Sequence, residues 1–524
     1  MPRRKKISAP PSTLGELRSS GYKIRSLRDE IRANLSDRIA AGDKLFPGIL
    51  GYEKTTIPEI ENALMAGQDM IILGERGQAK SRMVRAITSL MDEQVPVIRG
   101  SEVNDDPFAP ISRAGIDIVA EQGDDTPIDW LARDDRYGEK LATPDITMAE
   151  LLGDVDPIKV AEGRYLSDEL TIHYGLIPRT NRGVFCINEL PDLAERIQVG
   201  LFNLMEERDI QIKGYRVRMP LDILIIGTAN PEDYTNRGRI ITPLKDRYGA
   251  QVRTHYPERI EDELEIAEQE RSHYEASEKR VHVPPYMVEV IGEITSLARR
   301  SPEVNQRSGV SVRMTIANLE TARASALRRG LRLGEDRSSV RVSDLSSLIA
   351  STRGKLELET IEEGRENDVV EELIKLAVLE VFNRNFRSDE LDGVVASFDP
   401  GTTVEAGQDL LSDEYVNAAS RVIGLGPVLR RLEAADKPHE VASAVEFVLE
   451  GLHLNRRLNR ESAGGRVTYR EKPQPRSLRE GMDIRLEDLG IDMPDGPGGG
   501  PGSDPGIDSG DEPGGRRRRP RDNE

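Results

Sequence analysis

The stretch "DMIILGERGQAKSRMVRAITSLM", residues 69–91, decides the fold. It opens on four apolar residues, Met70 to Leu73, enough for one buried strand, and closes on a run with helical spacing. Between them "GERGQAKS" (74–81) fits the phosphate-loop pattern G-x-x-x-x-G-K-[ST] at Gly74, Lys80 and Ser81, with Ala79 in place of the second glycine. The spacing has a chemical reason. N–H groups of such a loop and of the helix that follows converge on a chain of phosphates. Glu75, Arg76, Gly77 and Gln78 supply that backbone, Gly77 being free to take a positive φ. Lys80 reaches the β- and γ-phosphates, and the Ser81 hydroxyl ligates Mg2+. Ala79 leaves the loop open provided its φ stays negative.

Working outward, "VPVIRG" (95–100), "GVFCIN" (183–188) and "DILIIGTAN" (222–230) are further strand candidates separated by helical segments. This alternation predicts a parallel sheet covered by helices on both faces. "VFCINEL" (184–190) carries Asn188 and Glu189 at a strand's C-terminal end, where open α/β sheets place their ligands. A glutamate there can orient and deprotonate a water. Asn230, at the end of the last strand, can hold that water. Between these strands "DIQIKGYRVRMP" (209–220) alternates, turns and alternates again, the pattern of a β-hairpin. From about residue 258 the pattern is helical: 258–275, 285–300, 311–329 and 343–353, then a second block at about 365–460. The end is rich in Gly, Pro and Asp, closes on Arg516 to Arg519, and has too little apolar surface to fold alone.

The length of 524 residues calls for more than one core. The expected division is a basic N-terminal extension and helix (1–40), a nucleotide-binding domain (41–255), a helical lid (256–360), a C-terminal helical domain (361–470) and a disordered tail (471–524). The net charge of −19 argues against general nucleic-acid binding, which needs a basic face. The single cysteine, Cys186, sits in an apolar strand and reads as a core thiol. His173 reads as loop surface, with no second His or Cys at metal-ligand spacing. No apolar run approaches the roughly 20 residues of a membrane span, and the N-terminus lacks the apolar stretch of a secretory signal. A cytoplasmic location is expected.

Taken together, "GILGYEK", "LGERGQAKSRMVRAI", "GLIPRTNRGVFCINEL", "LFNLMEERDIQIKGYRVRMPLDILIIGTANPED" and "PLKDRYG" resemble the AAA+ ATPases, and among them the magnesium-chelatase I subunit and the MoxR proteins, over about residues 45–355. The resemblance implies an α/β P-loop AAA+ domain, followed by an all-α lid and, beyond it, a further helical C-terminal domain. It makes Gly74 to Ser81 the Walker A loop, Asn188 and Glu189 Walker B with Glu189 the catalytic carboxylate, and Asn230 sensor 1. Arg247 would be the arginine finger that completes a neighbour's site, Arg239 being a weaker candidate. Arg313 would be sensor 2, opening a lid helix capped by Ser311. Ile49 and Leu50 would border the adenine. The hairpin at 209–220 corresponds to the insertion before sensor 1, and about 154–175 to the helix-2 insertion.

The resemblance further implies ATP and Mg2+ as cofactors and a homo-oligomeric ring, with a hexamer favoured. It also implies a separate partner carrying a von Willebrand A domain, since this chain lacks the DxSxS motif of that domain's metal site. The expected function is ATP hydrolysis in a ring that remodels or metallates a partner. Alternatives are an ATP-gated scaffold with little turnover and an AAA+ transcriptional or nucleic-acid regulator. The chain departs from the family at Asn188, where Walker B offers Asp. Asn keeps an acceptor oxygen and loses the charge. Because Glu189, Asn230 and the arginine positions are retained, the site reads as live, with weaker metal affinity.

Overall fold

The computed structural model describes residues 10–156, 158, 161, 169–207, 210–212, 215–217, 219–230, 239–306, 308–359, 365–398, 401–434 and 436–472. Its centre is a five-stranded parallel sheet: β1 (Met70–Leu73), β2 (Tyr137–Leu141), β3 (Gly183–Asn188), β4 (Ile223–Ala229) and β5 (Ala250–Arg253). The spatial order is β5-β1-β4-β3-β2, and every neighbouring pair is parallel. Parallel strands need helical crossovers, which cover both faces, so the central strands read as unbroken apolar runs.

Alternate residues of each strand feed two separate cores. Ile71, Leu73, Phe185, Ile187, Ile223 and Ile225 face one side, with residues of α4 (Glu195–Glu207) and α5 (Thr242–Arg247). Met70, Ile72, Val184, Cys186, Leu224 and Ile226 face the other, under α1 (Leu27–Ala41), α2 (Thr56–Met65) and α3 (Lys80–Ile87). Helix α1, which the sequence division set apart from the nucleotide-binding domain, is therefore part of the α/β core. It is held there by a buried bidentate pair, Arg136 donating to the two Glu30 oxygens at 2.7 and 2.8 Å.

One strand reading changes, and one strand was not anticipated. "VPVIRG" contributes Gln94–Ile98, which pairs antiparallel with Ile128–Ala132 in a ribbon apart from the main sheet. The edge position beside β3 goes instead to β2, whose "YGEKL" is half-exposed and mostly polar. An edge strand buries less of its surface than a central one, so the apolar signal fades there.

The hairpin expected at 209–220 forms in its described part, with Ile210 opposite Val217 and Ile212 opposite Tyr215. In the segment 154–175 the described ends Gly153–Val155 and Ile172–Tyr174 pair antiparallel; 157, 159–160 and 162–168 lie outside the described residues, as do 1–9 and the tail 473–524 with its arginine run.

Beyond the sheet the chain is largely helical, including α6 (Ile260–Glu270), α7 (Pro285–Ala298), α8 (Arg313–Leu333), α9 (Arg365–Asn385) and α10 (Pro438–Leu454). The lid and the second helical block share one apolar core, in which Tyr286 of α7, Phe382 of α9 and Phe447 of α10 meet. Gly451 permits the close approach, since a Cβ there would lie 2.1 Å from the Phe382 ring. The C-terminal block is not wholly helical. Val404–Gly407, Arg466–Glu471 and Leu458–Ala463 form a three-stranded antiparallel sheet, the last two joined by Gly464 and Gly465, both with positive φ.

Candidate active site

The phosphate loop joins β1 to α3 at the C-terminal edge of the sheet, between the ends of β3, β4 and β5. A cavity of about 360 Å³ opens over it. Arg76, Gly77, Gln78, Ala79, Lys80 and Ser81 line its floor, with Glu189 and Asn230 from the strand ends. Ile49, Leu50, Ile266 and Ile316 also line the cavity, the last two from lid helices α6 and α8. Arg313 lines the mouth and is exposed.

The two loop glycines are required by close approach. A Cβ on Gly74 would lie 1.7 Å from Thr254 Oγ1, and one on Gly77 would lie 1.9 Å from Ser311 Oγ. Gly77 also takes φ +76°. Gln78 is buried and spans the loop, its Oε1 accepting from the Glu75 N–H at 2.9 Å and from the Thr254 hydroxyl at 2.6 Å. Gly74 and Glu75 themselves stand behind the lining. Their carbonyls accept from the Lys80 ammonium, at 3.0 Å for Glu75. Lys80 also donates to Asn230 Oδ1, which links the loop to the end of β4.

Ala79 corrects the sequence reading. Its φ is +56° and its ψ 19°, the left-handed region, and it is the residue from which α3 starts. The second glycine of the motif serves this conformation, and alanine holds it at a cost of about 1–2 kcal/mol. Glu189 is left-handed too, at φ +54°, and its N–H donates to Thr228 Oγ1 at 3.2 Å. Strain of this kind concentrates at ligand clamps.

The second acidic position is a network. Asn188 Oδ1 accepts from the Ser81 hydroxyl at 3.5 Å and the Thr228 hydroxyl at 3.1 Å. Its Nδ2 donates to Glu139 Oε1 on β2. Burial first, and then the Glu139 charge, push the neighbouring Cys186 thiol up to about 12. Cys186 is thus a protonated core thiol, with its S–H directed at Asn188 Oδ1.

Two other candidates lie elsewhere. The structure does not bring Arg247 to this cavity: its guanidinium pairs with Glu206 at 2.7 Å and stacks over Phe202 at 4.7 Å. Arg239 is exposed, 3.9 Å from Glu195. Ser311 does not cap the helix as expected: α8 starts from Val312 with no side-chain cap, and Ser311 Oγ accepts from the Arg313 N–H at 3.1 Å in the turn just before it.

Sequence reasoning missed the contributions of Tyr52, His255, Glu139 and Glu270. The Tyr52 hydroxyl donates to the His255 carbonyl at 2.7 Å, and both residues line the cavity. The "GYEK" after Ile49 and Leu50 was the available signal. On the lid side, Arg82 of α3 pairs with Glu270, and Gln269 donates to the Gly48 carbonyl at 2.9 Å.

The residues present fit a nucleotide and its metal. A glycine-walled cradle, a cation at its base and a helix N-terminus suit phosphate. Ser81 Oγ and Asn188 Oδ1 are hard oxygen donors of the type Mg2+ takes. Among the described residues no cluster of three His, Cys, Asp or Glu side chains could hold a metal by itself, and no helix is long and apolar enough to cross a membrane.

No family model matches the chain. It is 24% identical over 274 residues to the magnesium-chelatase 38 kDa subunit of Rhodobacter capsulatus, covering 49% of this chain and 70% of that protein. It is 24% identical over 393 residues to the magnesium-chelatase subunit ChlI of Nostoc sp., covering 70% of this chain and 91% of that protein. A structure of the magnesium-chelatase BchI–BchD complex has a chain 19% identical, covering 63% of this chain and 98% of that chain, with a TM-score of 0.32. A score that low carries no argument. The strand order and the phosphate loop carry the fold.

Proposed function

We propose, for this P-loop AAA+ ATPase of the magnesium-chelatase I-subunit type, that it binds Mg·ATP at the loop of residues 74–81 and hydrolyses it within a ring of its own copies. The observation that supports this most is the convergence of Lys80, Ser81, Glu189 and Asn230 on one cavity from three separate strand ends, with Asn188 behind it, accepting from the Ser81 hydroxyl. Lys80 and the loop N–H groups hold the phosphates. Ser81 and Asn188 would hold Mg2+, which when bound would supply positive charge to offset that of the phosphates. Glu189 orients a water and takes its proton, and Asn230 keeps that water in line. Ile49, Leu50, Ile266 and Ile316 offer the base an apolar pocket.

Arg247 acts on a neighbouring copy, in keeping with its position outside its own cavity. The work done by the ring is remodelling or metallation of a separate protein, one with a von Willebrand A domain as in the family's general scheme. The charge lost at Asn188 favours a second reading, a scaffold that binds ATP and turns it over slowly.

The test is phosphate release per subunit across a range of protein concentrations, beside mass measurement by light scattering. The ring reading expects specific activity to rise with assembly and Arg247→Ala to abolish it while ATP still binds. Activity independent of concentration in a monomer would refute it.

A further inference from the structure

Asn188 leaves the metal side of this site without the carboxylate that the motif normally places there. A carboxylate is nevertheless present one strand away. Glu139 lies on β2, its backbone in register with Cys186, two residues before Asn188. Its Oε1 accepts from Asn188 Nδ2. Its Oε2 accepts from Arg85 Nε and from the Tyr137 hydroxyl, each at 2.9 Å. Arg85 is one helical turn beyond Ser81 on α3, so the path Ser81–Asn188–Glu139–Arg85 closes on the helix that begins the phosphate loop.

This arrangement fixes which way the Asn188 amide points. An ionised carboxylate only accepts hydrogen bonds, so the face toward Glu139 must be the NH2. The carbonyl oxygen is thereby turned to Ser81 and Thr228. An aspartate at 188 would set two carboxylates against each other. Asparagine at 188 and glutamate at 139 are therefore a matched pair. Arg85 is largely exposed, so water dilutes its neutralisation of Glu139.

We propose that Glu139 is the positioning residue of the metal site, orienting the Asn188 oxygen and supplying from β2 the negative charge that strand β3 lacks. The inference rests on the reading of Ser81 and Asn188 as the Mg2+ side of a nucleotide site. Outer partners of this kind set the orientation and basicity of the groups that bind the ion.

The experiment titrates Mg2+ into the full chain with a fluorescent ATP analogue, starting in EDTA, and records melting temperature in EDTA alongside. Glu139→Gln keeps an acceptor oxygen and removes the charge. It is expected to raise the Mg2+ needed for half-maximal tightening by about tenfold, the usual cost of losing an outer partner, with binding in EDTA unchanged. Asn188→Asp alone is expected to lower the melting temperature. Glu139→Gln/Asn188→Asp, which moves the charge back to β3, is expected to recover both the Mg2+ requirement and the melting temperature.

If Glu139→Gln needs no more Mg2+ than the wild type, or the double variant is no better than Glu139→Gln, the role of Glu139 is overturned. If the wild type binds the analogue equally well with and without Mg2+, the metal-site reading falls, and this inference with it.

Discussion

Replacing Ala79 by glycine should stabilise the protein. Ala79 sits at φ +56°, where an L-residue with a Cβ is strained by about 1–2 kcal/mol. Glycine removes that strain, but its unfolded chain is freer, which returns about 0.5–1 kcal/mol. The net gain is about 0.5–1 kcal/mol. Ala79→Val is the complementary change, because a β-branched side chain tolerates this region least; it should cost about 1–3 kcal/mol. Urea unfolding followed by circular dichroism, without nucleotide, reads both. The order Gly above Ala above Val is the outcome expected. A glycine variant less stable than wild type, or a valine variant equal to it, would show that residue 79 is not left-handed in the folded protein. The same series read by nucleotide affinity would test whether that geometry is the one that holds phosphate.

Three further changes probe the rest of the fold. Glu30→Ala strands the Arg136 guanidinium, which is 1% exposed, and should cost about 3–5 kcal/mol in urea melts, most of it recovered by adding Arg136→Leu. Gly451→Ala drives a Cβ to 2.1 Å from the Phe382 ring and should cost about 1–3 kcal/mol, lowering the melting temperature of lid and C-terminal helices together because they share a core. Burial holds His282 and His439 below their ordinary 6.5, opposed by Glu440 and reinforced by Lys437, with Arg323 acting on His282 and Arg337 on His439. As pH falls through 6.5 the unfolded chain takes up those protons first, so their share of stability is present above that pH and lost below it. The urea midpoint should therefore drop less between about pH 7.5 and 5.5 in His439→Gln than in wild type.

What the sequence made legible follows from burial. "MIIL", "GVFCIN" and "DILIIGTA" are buried on both faces, and their unbroken apolar character marks them as central strands. "YGEKL" and "AQVR" are edge strands with mixed exposure, and neither carries a recognisable pattern. "SAGGRV" held a readable signal, since two glycines between alternating segments specify a tight hairpin turn. The loop from Gly74 to Ser81 was legible because its chemistry is local. Glu139 was not, because it meets Asn188 only through the pairing of strands 49 residues apart. The conformation of Ala79 lay in between: the motif expects glycine there, and the reason is the left-handed φ that alanine also adopts.

The central claim is that Glu189 serves a working hydrolytic site although Asn188 stands beside it. The direct test is phosphate release from Mg·ATP by the wild type and by Glu189→Gln, with ATP binding measured on both. The account predicts turnover by the wild type and equal binding with a loss of at least about a hundredfold in turnover by the variant. Equal turnover by both, or ATP binding without turnover by either, would contradict it and leave "VFCINEL" as a strand that senses the nucleotide.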